Sequence, residues 1–127
     1  MLSRRLAAAA TKGSFERVLL NSDLWVAALI RRAQNAGAFA AVERKGDARG
    51  GAVLVKALNR RAGEARLFAE ATRGDGERVW MQPVASLQEP DLDAYIARAA
   101  RIDPDIWVVE IDDTEGRHFL TEPVERR

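Results

Sequence analysis

Between Ala38 and Gln82 the chain is divided into four short strand-like runs by turns rich in glycine, with a helical pattern on either side of the stretch. This order constrains the fold more than any other feature. Tight connections return a chain antiparallel to itself, whereas a parallel sheet calls for strands and helices in strict alternation. The first run, Ala38 to Arg44, sets Phe39 and Ala41 against Ala40 and Val42, and Gly46-Asp47-Ala48-Arg49-Gly50-Gly51 turns it. Ala52 to Leu58 is rich in β-branched residues, with Val53 and Val55 on one face and Leu54 and Leu58 on the other. Asn59 to Gly63 has turn chemistry, Ala65 to Ala69 forms a third run, and Arg73-Gly74-Asp75-Gly76 breaks the chain again. Arg78 to Gln82 is the fourth run, stopped by Pro83, which cannot donate to a strand ladder.

The first helix is predicted from Asp23 to Ala36. Leu24, Trp25, Ala28, Leu29 and Ala36 recur near helical spacing, Arg31, Arg32, Gln34 and Asn35 take the other side, Ser22 is the expected cap and Gly37 ends the helix. The second helix is announced by Pro90 and by Ser86 with Glu89 at capping-box spacing; Leu92, Tyr95, Ile96 and Ala99 mark its apolar face. Asp103-Pro104-Asp105 ends it, because a residue before proline disfavours helical angles. Ile106 to Ile111 is the most strand-like stretch, with Trp107, Val109 and Ile111 on one face and Ile106, Val108, Glu110 and Asp112 on the other. Asp112 to Gly116 turns, and Arg117 to Leu120 is expected to pair back as a last hairpin strand. The expected class is therefore α+β, a mainly antiparallel sheet of about five or six strands with two helices packed on one face.

A chain of 127 residues fits one domain, and 47% hydrophobic content supplies an ordinary core. We read residues 1–14 as an N-terminal extension, 15–121 as the domain and 122–127 as a C-terminal tail. The apolar run Leu6 to Ala10 is too short for a secretory segment or a membrane span, so a cytoplasmic protein without membrane attachment is expected. Absence of cysteine removes disulfides, thiolate metal sites and cysteine nucleophiles, and fits a reducing compartment. Twenty basic against nineteen acidic residues argue against a general polyanion binder.

The most chemical feature is the acidic group Asp103, Asp105, Glu110, Asp112 and Asp113. Alternate residues on one strand face lie about 7 Å apart, so Glu110 and Asp112 have the spacing to converge on one hard cation or to hold an arginine. Arg31 and Arg32, with Arg44 and Lys45, are the basic counterpart, suited to a phosphate, a carboxylate or an internal ion pair. The glycine turn at 46–51 lacks the GxxxxGK[ST] and GxGxxG phosphate patterns and joins two strands, so it reads as a hairpin turn. His118, the only histidine, is a candidate general base oriented by Glu110 or Asp112, but no serine stands out as its nucleophile. Trp25 and Trp107 lie on apolar faces; Trp80, in a weakly patterned strand near Arg73 and Arg78, is the tryptophan best placed to stack a base.

Several of these segments together resemble a small bacterial family catalogued as domain of unknown function 1491. They are Leu24-Trp25-Val26 with Arg31, the run Gly37 to Val42, Lys45-Gly46-Asp47 with Gly51, Asp103-Pro104-Asp105-Ile106-Trp107-Val108-Val109-Glu110, and Gly116-Arg117 with Phe119. The resemblance spans about residues 20–120, and its most distinctive part is the DPD-x-WVVE segment. It implies that Trp25, Arg31, Asp103, Asp105, Trp107 and Glu110 belong to the family's pattern, and it implies no activity, cofactor or partner.

The polar residues singled out are thus Arg31, Asp103, Asp105, Glu110, Asp112 and His118, with no catalytic role, cofactor or metal assigned to them. Three readings follow. The first is a non-catalytic binding or accessory module, with self-association into a homo-oligomer through a sheet edge or a helix face left open. The second is a small metal-assisted hydrolase with Glu110, Asp112 and Asp105 as ligands and His118 as acid–base group. The third is nucleic-acid contact through Arg44, Lys45, Arg49, Arg60 and Arg61, against which the balanced charge argues.

Overall fold

The computed structural model describes residues 21–125. The expected N-terminal extension, residues 15–20 and residues 126–127 lie outside the described residues. The elements in chain order are α1 (Ser22–Asn35), β1 (Phe39–Arg44), β2 (Val53–Asn59), β3 (Glu64–Thr72), β4 (Arg78–Met81), α2 (Glu89–Ile102) and β5 (Trp107–Asp113). They build one five-stranded sheet of order β1-β5-β2-β3-β4. The pairs β1–β5, β2–β3 and β3–β4 are antiparallel, and β2–β5 is parallel. The fold is α+β with a mostly antiparallel sheet, but the glycine turn at 46–51 is not the expected hairpin turn, because β5 separates the two strands it joins; among the described residues only the turns after β2 and β3 close hairpins. The sheet's parallel pair arises because the chain passes through α2 before β5 inserts between β1 and β2.

Both central strands are apolar on both sides, and this decides where the helices go. Val53, Val55 and Ala57 of β2 join Trp107, Val109 and Ile111 of β5 under Trp25, Val26, Leu29 and Ala33 of α1. Leu54 and Val108 point the other way, joining Ala65, Leu67 and Ile106 under Leu92 of α2, with Tyr95, Ile96 and Ala99 at the margin. One helix therefore lies on each face, where the sequence reading put both on one. A sheet with two apolar faces needs two covers, because either face left open would keep its Val and Leu side chains in water.

Local features at both helix starts and after β5 differ from expectation. Gln88, not Ser86, is the N-cap of α2 and makes no side-chain cap bond, so the expected capping box does not form. Asn21, not Ser22, is the N-cap of α1, and it makes no side-chain cap bond. Ser22 is buried and donates its hydroxyl to the Gly51 carbonyl at 2.6 Å. Arg117 to Leu120 does not pair as a strand. Phe119 adopts a left-handed φ of 60°, which no strand ladder accepts, and its carbonyl receives the Nε–H and Nη2–H of Arg32 at 3.2 and 2.9 Å. The chain after β5 instead runs across the α1 side of β3 and β4. It ends with Val124 bridged to Trp80, the Trp80 N–H on the Pro123 carbonyl and the Glu125 N–H on the Trp80 carbonyl.

Candidate functional site

The parallel register of β2 with β5 sets Lys56 beside Glu110. Lys56 lies between Leu54 and Leu58 on the α2 side and is only 2% exposed. Its ammonium meets four carboxylates from three further elements: Glu89 Oε2 at 2.8 Å and Asp93 Oδ1 at 2.9 Å on α2, Glu43 Oε1 on β1 and Glu110 Oε1 on β5, both at 3.5 Å. Burial alone would lower the Lys56 pKa. The hydrogen bonds to Glu89 and Asp93, with the field of Glu43, outweigh burial and hold the ammonium well above its ordinary range. Lys56 is thus a fixed cation that ties β1, β2, β5 and α2 together.

The other acidic residues of β5 are engaged in the same way. Asp112 pairs with Arg60 Nε at 3.0 Å. Asp113, nearly fully buried, receives Arg117 through Nε at 3.0 Å and Nη2 at 2.8 Å, and accepts the backbone N–H groups of Glu115 and Arg117. The Arg117 bond is the main cause that holds the Asp113 carboxyl well below the usual carboxylate range, against the opposing effect of burial. Asp113 closes the turn after β5 much as an acidic cap closes a helix.

Asp103 and Asp105 sit at the opposite end of β5. Asp103 Oδ1 accepts the Asp105 N–H at 3.0 Å, which shapes the corner between α2 and the strand. The Asp105 carbonyl accepts the Asp47 N–H at 2.9 Å, and the Trp107 indole N–H donates to the Asp47 carbonyl at 2.7 Å. Glycine is required where the two segments touch: a Cβ on Gly46 or Gly51 would lie 2.2 or 2.3 Å from the Asp105 carbonyl oxygen. The same loop takes the Ser22 and Asp23 N–H groups on the carbonyls of Arg49 and Ala48. The Lys45-Gly46-Asp47 and Asp103-to-Trp107 motifs therefore form one knot joining the start of α1, the β1–β2 loop and the start of β5.

The six polar residues singled out in the sequence do not share a site. Only Asp103 and Asp105 meet. The length of β5, about 23 Å at 3.3 Å per residue, separates them from Asp112. Glu110 and Asp112 face α2, as their alternation with Trp107, Val109 and Ile111 predicts. His118 lies across the sheet from both, its ring edge-on to Phe68 at 4.9 Å between centroids. Its Nδ1 accepts the Leu120 N–H at 2.9 Å, and burial lowers its pKa. Arg31 is exposed on α1. Among the described residues no three His, Asp or Glu side chains are grouped to hold a metal ion. The arginines of the nucleic-acid reading are dispersed as well: Arg44 donates to the Pro104 carbonyl, and at the far end of β2 Arg60 pairs with Asp112 and Arg61 with Glu115.

Two polar centres escaped the sequence reading. Lys56 carried a signal, a single charge in an otherwise apolar strand. Glu122 carried none, since it falls in the segment read as a tail. It is 3% exposed, and its two oxygens accept the indole N–H groups of Trp25 and Trp80 at 3.1 and 3.0 Å. The two indoles stack at 5.3 Å. Trp80 is thus committed to the core and unavailable to a base.

Fold and site define a small α+β domain whose mixed sheet is braced on one face by a carboxylate-ringed lysine and on the other by a carboxylate-bridged tryptophan pair. The chain belongs to the family described as protein of unknown function DUF1491, which it matches over residues 20–121. It is similar to a DUF1491 family protein from Caulobacter crescentus CB15 solved by crystallography, with 78% identity, 84% of this chain and 100% of that chain covered, and a TM-score of 0.83. An NMR structure of a DUF1491 family protein from the same organism gives 78% identity, 85% and 98% coverage and a TM-score of 0.81. The solution structure of protein Atu0922 from A. tumefaciens gives 34% identity, 85% and 98% coverage and a TM-score of 0.71. No curated protein matches the chain. No helix among the described residues is long and apolar enough to cross a membrane.

Proposed function

We propose that this chain is a non-catalytic binding module that holds a basic, extended segment of a partner protein along the outer edge of β1. The observation that carries the reading is the difference between the two edges of the sheet. β4 is closed by residues 123–125, whereas β1, among the described residues, pairs on one side only. An open edge offers backbone donors and acceptors to an added strand. Beside it Phe39 is 59% and Val42 41% exposed, enough to give alternate side chains of a partner an apolar footing.

Charge selects the partner. The α2 side of this edge carries Glu43, Glu110 and Asp112 from the sheet and Glu89 and Asp93 from α2, against the cations Arg44, Lys56 and Arg60. The excess negative charge favours lysine and arginine in the incoming strand and opposes an acidic one. Because the acidic residues already hold lysine and arginine internally, they serve as a field and not as acid–base groups. The cysteine-free sequence fits work in the cytoplasm.

The test is binding of a peptide of alternating lysine and valine, followed by backbone amide resonances. Saturable shifts centred on residues 39–44, weakened about tenfold or more by Phe39→Lys or Glu43→Lys and reduced by added salt, are expected. Shifts elsewhere, or affinity indifferent to both substitutions, would overturn the partner assignment. A dimer joined through β1 would put a second copy in the partner's place. A substrate turnover abolished by Glu110→Ala would overturn the non-catalytic reading.

A further inference from the structure

A second surface lies away from the β1 edge, on the α1 side of β3 and β4. There the segment after β5 crosses the sheet and leaves a groove of about 690 Å³ between itself and the chain following β4. Arg66 and Phe68 lie on the sheet side, Gln82, Val84 and Ala85 on one wall, and His118 and Val124 on the other. The lining holds a cation, an imidazole and an amide above apolar side chains, and no carboxylate. That lining gives an anion a cationic partner and sets no carboxylate of the groove wall against it.

Arg66 and His118 have donor capacity suited to such a ligand. Arg66 is half exposed, and its one ion pair among the described residues, to Glu64, is long at 3.9 Å, so its planar fork keeps N–H donors for an incoming group. His118 has Nδ1 occupied as an acceptor by the Leu120 N–H, which leaves the proton of the neutral ring on Nε2. The edge contact with Phe68 fixes the ring plane. One guanidinium with a neutral imidazole donor matches a monoanion; a phosphate dianion would call for a second cation. Phe68, Val84, Ala85 and Val124 then suit a compact apolar body.

We propose that this groove binds a small organic monocarboxylate with an apolar, ring-sized body, its carboxylate on Arg66 and His118. This site is separate from the β1 edge, so either may fail without the other. Because the chain has a single histidine, imidazole NMR resonances report on the groove without ambiguity. The experiment is titration with benzoate, using benzyl alcohol and inorganic phosphate as comparisons, in the full chain and in Arg66→Gln. The expected result is saturable movement of the His118 resonances with benzoate and at least about tenfold weaker effects from the other two. Arg66→Gln should weaken benzoate by about tenfold, the loss of one charge-assisted contact. His118 resonances unmoved by benzoate, equal response to benzyl alcohol, or unchanged affinity in Arg66→Gln would each overturn the proposal. Tighter binding of phosphate than benzoate would do the same.

Discussion

Lys56 shows how one residue's meaning depends on its register. In β2 it occupies a position that the strand's pleat turns toward α2, so the side chain has no path to bulk water and must find its counter-charges inside. Four carboxylates meet it, and each keeps 28–51% of its side chain exposed. Lys56→Met would leave those carboxylates facing one another. Removing one member of a fully buried pair costs about 3–5 kcal/mol. Here the partners can recover part of their hydration, so a loss of about 1–3 kcal/mol is expected in urea unfolding. Because the loss is mutual repulsion, about 1 M salt should recover much of it; a packing defect would not respond to salt. In the parent protein the raised Lys56 pKa makes its stabilisation complete below the ordinary lysine value of 10.5, and it is lost only as pH climbs beyond that value.

Periodicity made the elements legible, and solvation made some of their ends illegible. α1, α2 and β5 were readable because apolar residues recur at the right spacing, and the faces of β5 followed directly from alternation. The same alternation could not tell that β5 would sit between two strands and be covered twice, since an apolar residue reads alike under either helix. Nor could it see the knot at Gly46, Gly51, Asp105 and Trp107, whose bonds run mostly through backbone carbonyls that side-chain identity does not reveal. The acidic residues of β5 were legible in part for a related reason: their spacing along the strand could be read, but their cationic partners come from β2 and from the turns. Asp113 is the element-scale case with a measurable signature. Its carboxyl is held well below the ordinary aspartate value of 3.8, so the stability it contributes is full above that value and is lost as pH falls below it. Asp113→Asn keeps an oxygen for the two backbone N–H groups and removes the charge that holds Arg117. A loss of about 1–3 kcal/mol near neutral pH is expected. Between about pH 4 and pH 2 the variant's melting temperature should fall less steeply than the parent's, because one source of acid lability is gone. Parallel acid limbs in the two proteins would show that the pair with Arg117 carries no such stability.

At the scale of the whole molecule, the two edges of the sheet are managed differently. The last described residues close β4 by backbone bonds at Trp80, by the ion pair of Arg73 with Glu125, and by the Glu122 carboxylate held between two stacked indoles. A short segment thereby completes the core on the α1 side and seals an edge that could otherwise recruit a strand. Ending the chain at Thr121 removes all three at once. Buried donors left without an acceptor cost about 1–3 kcal/mol each. For a domain of about 100 residues each 1 kcal/mol moves the melting midpoint by roughly 4–8 °C. The truncated chain is therefore expected to melt at least about 10 °C lower, with altered near-ultraviolet dichroism from the tryptophan pair and new self-association through β4 in sedimentation. Glu122→Gln separates the two roles. It sets an amide N–H against an indole N–H and should lower the melting temperature while keeping β4 closed, and so leave the oligomeric state unchanged. A truncated chain that melts within about 2 °C of the parent and gains no association would mean that residues 122–125 neither complete the core nor guard the edge.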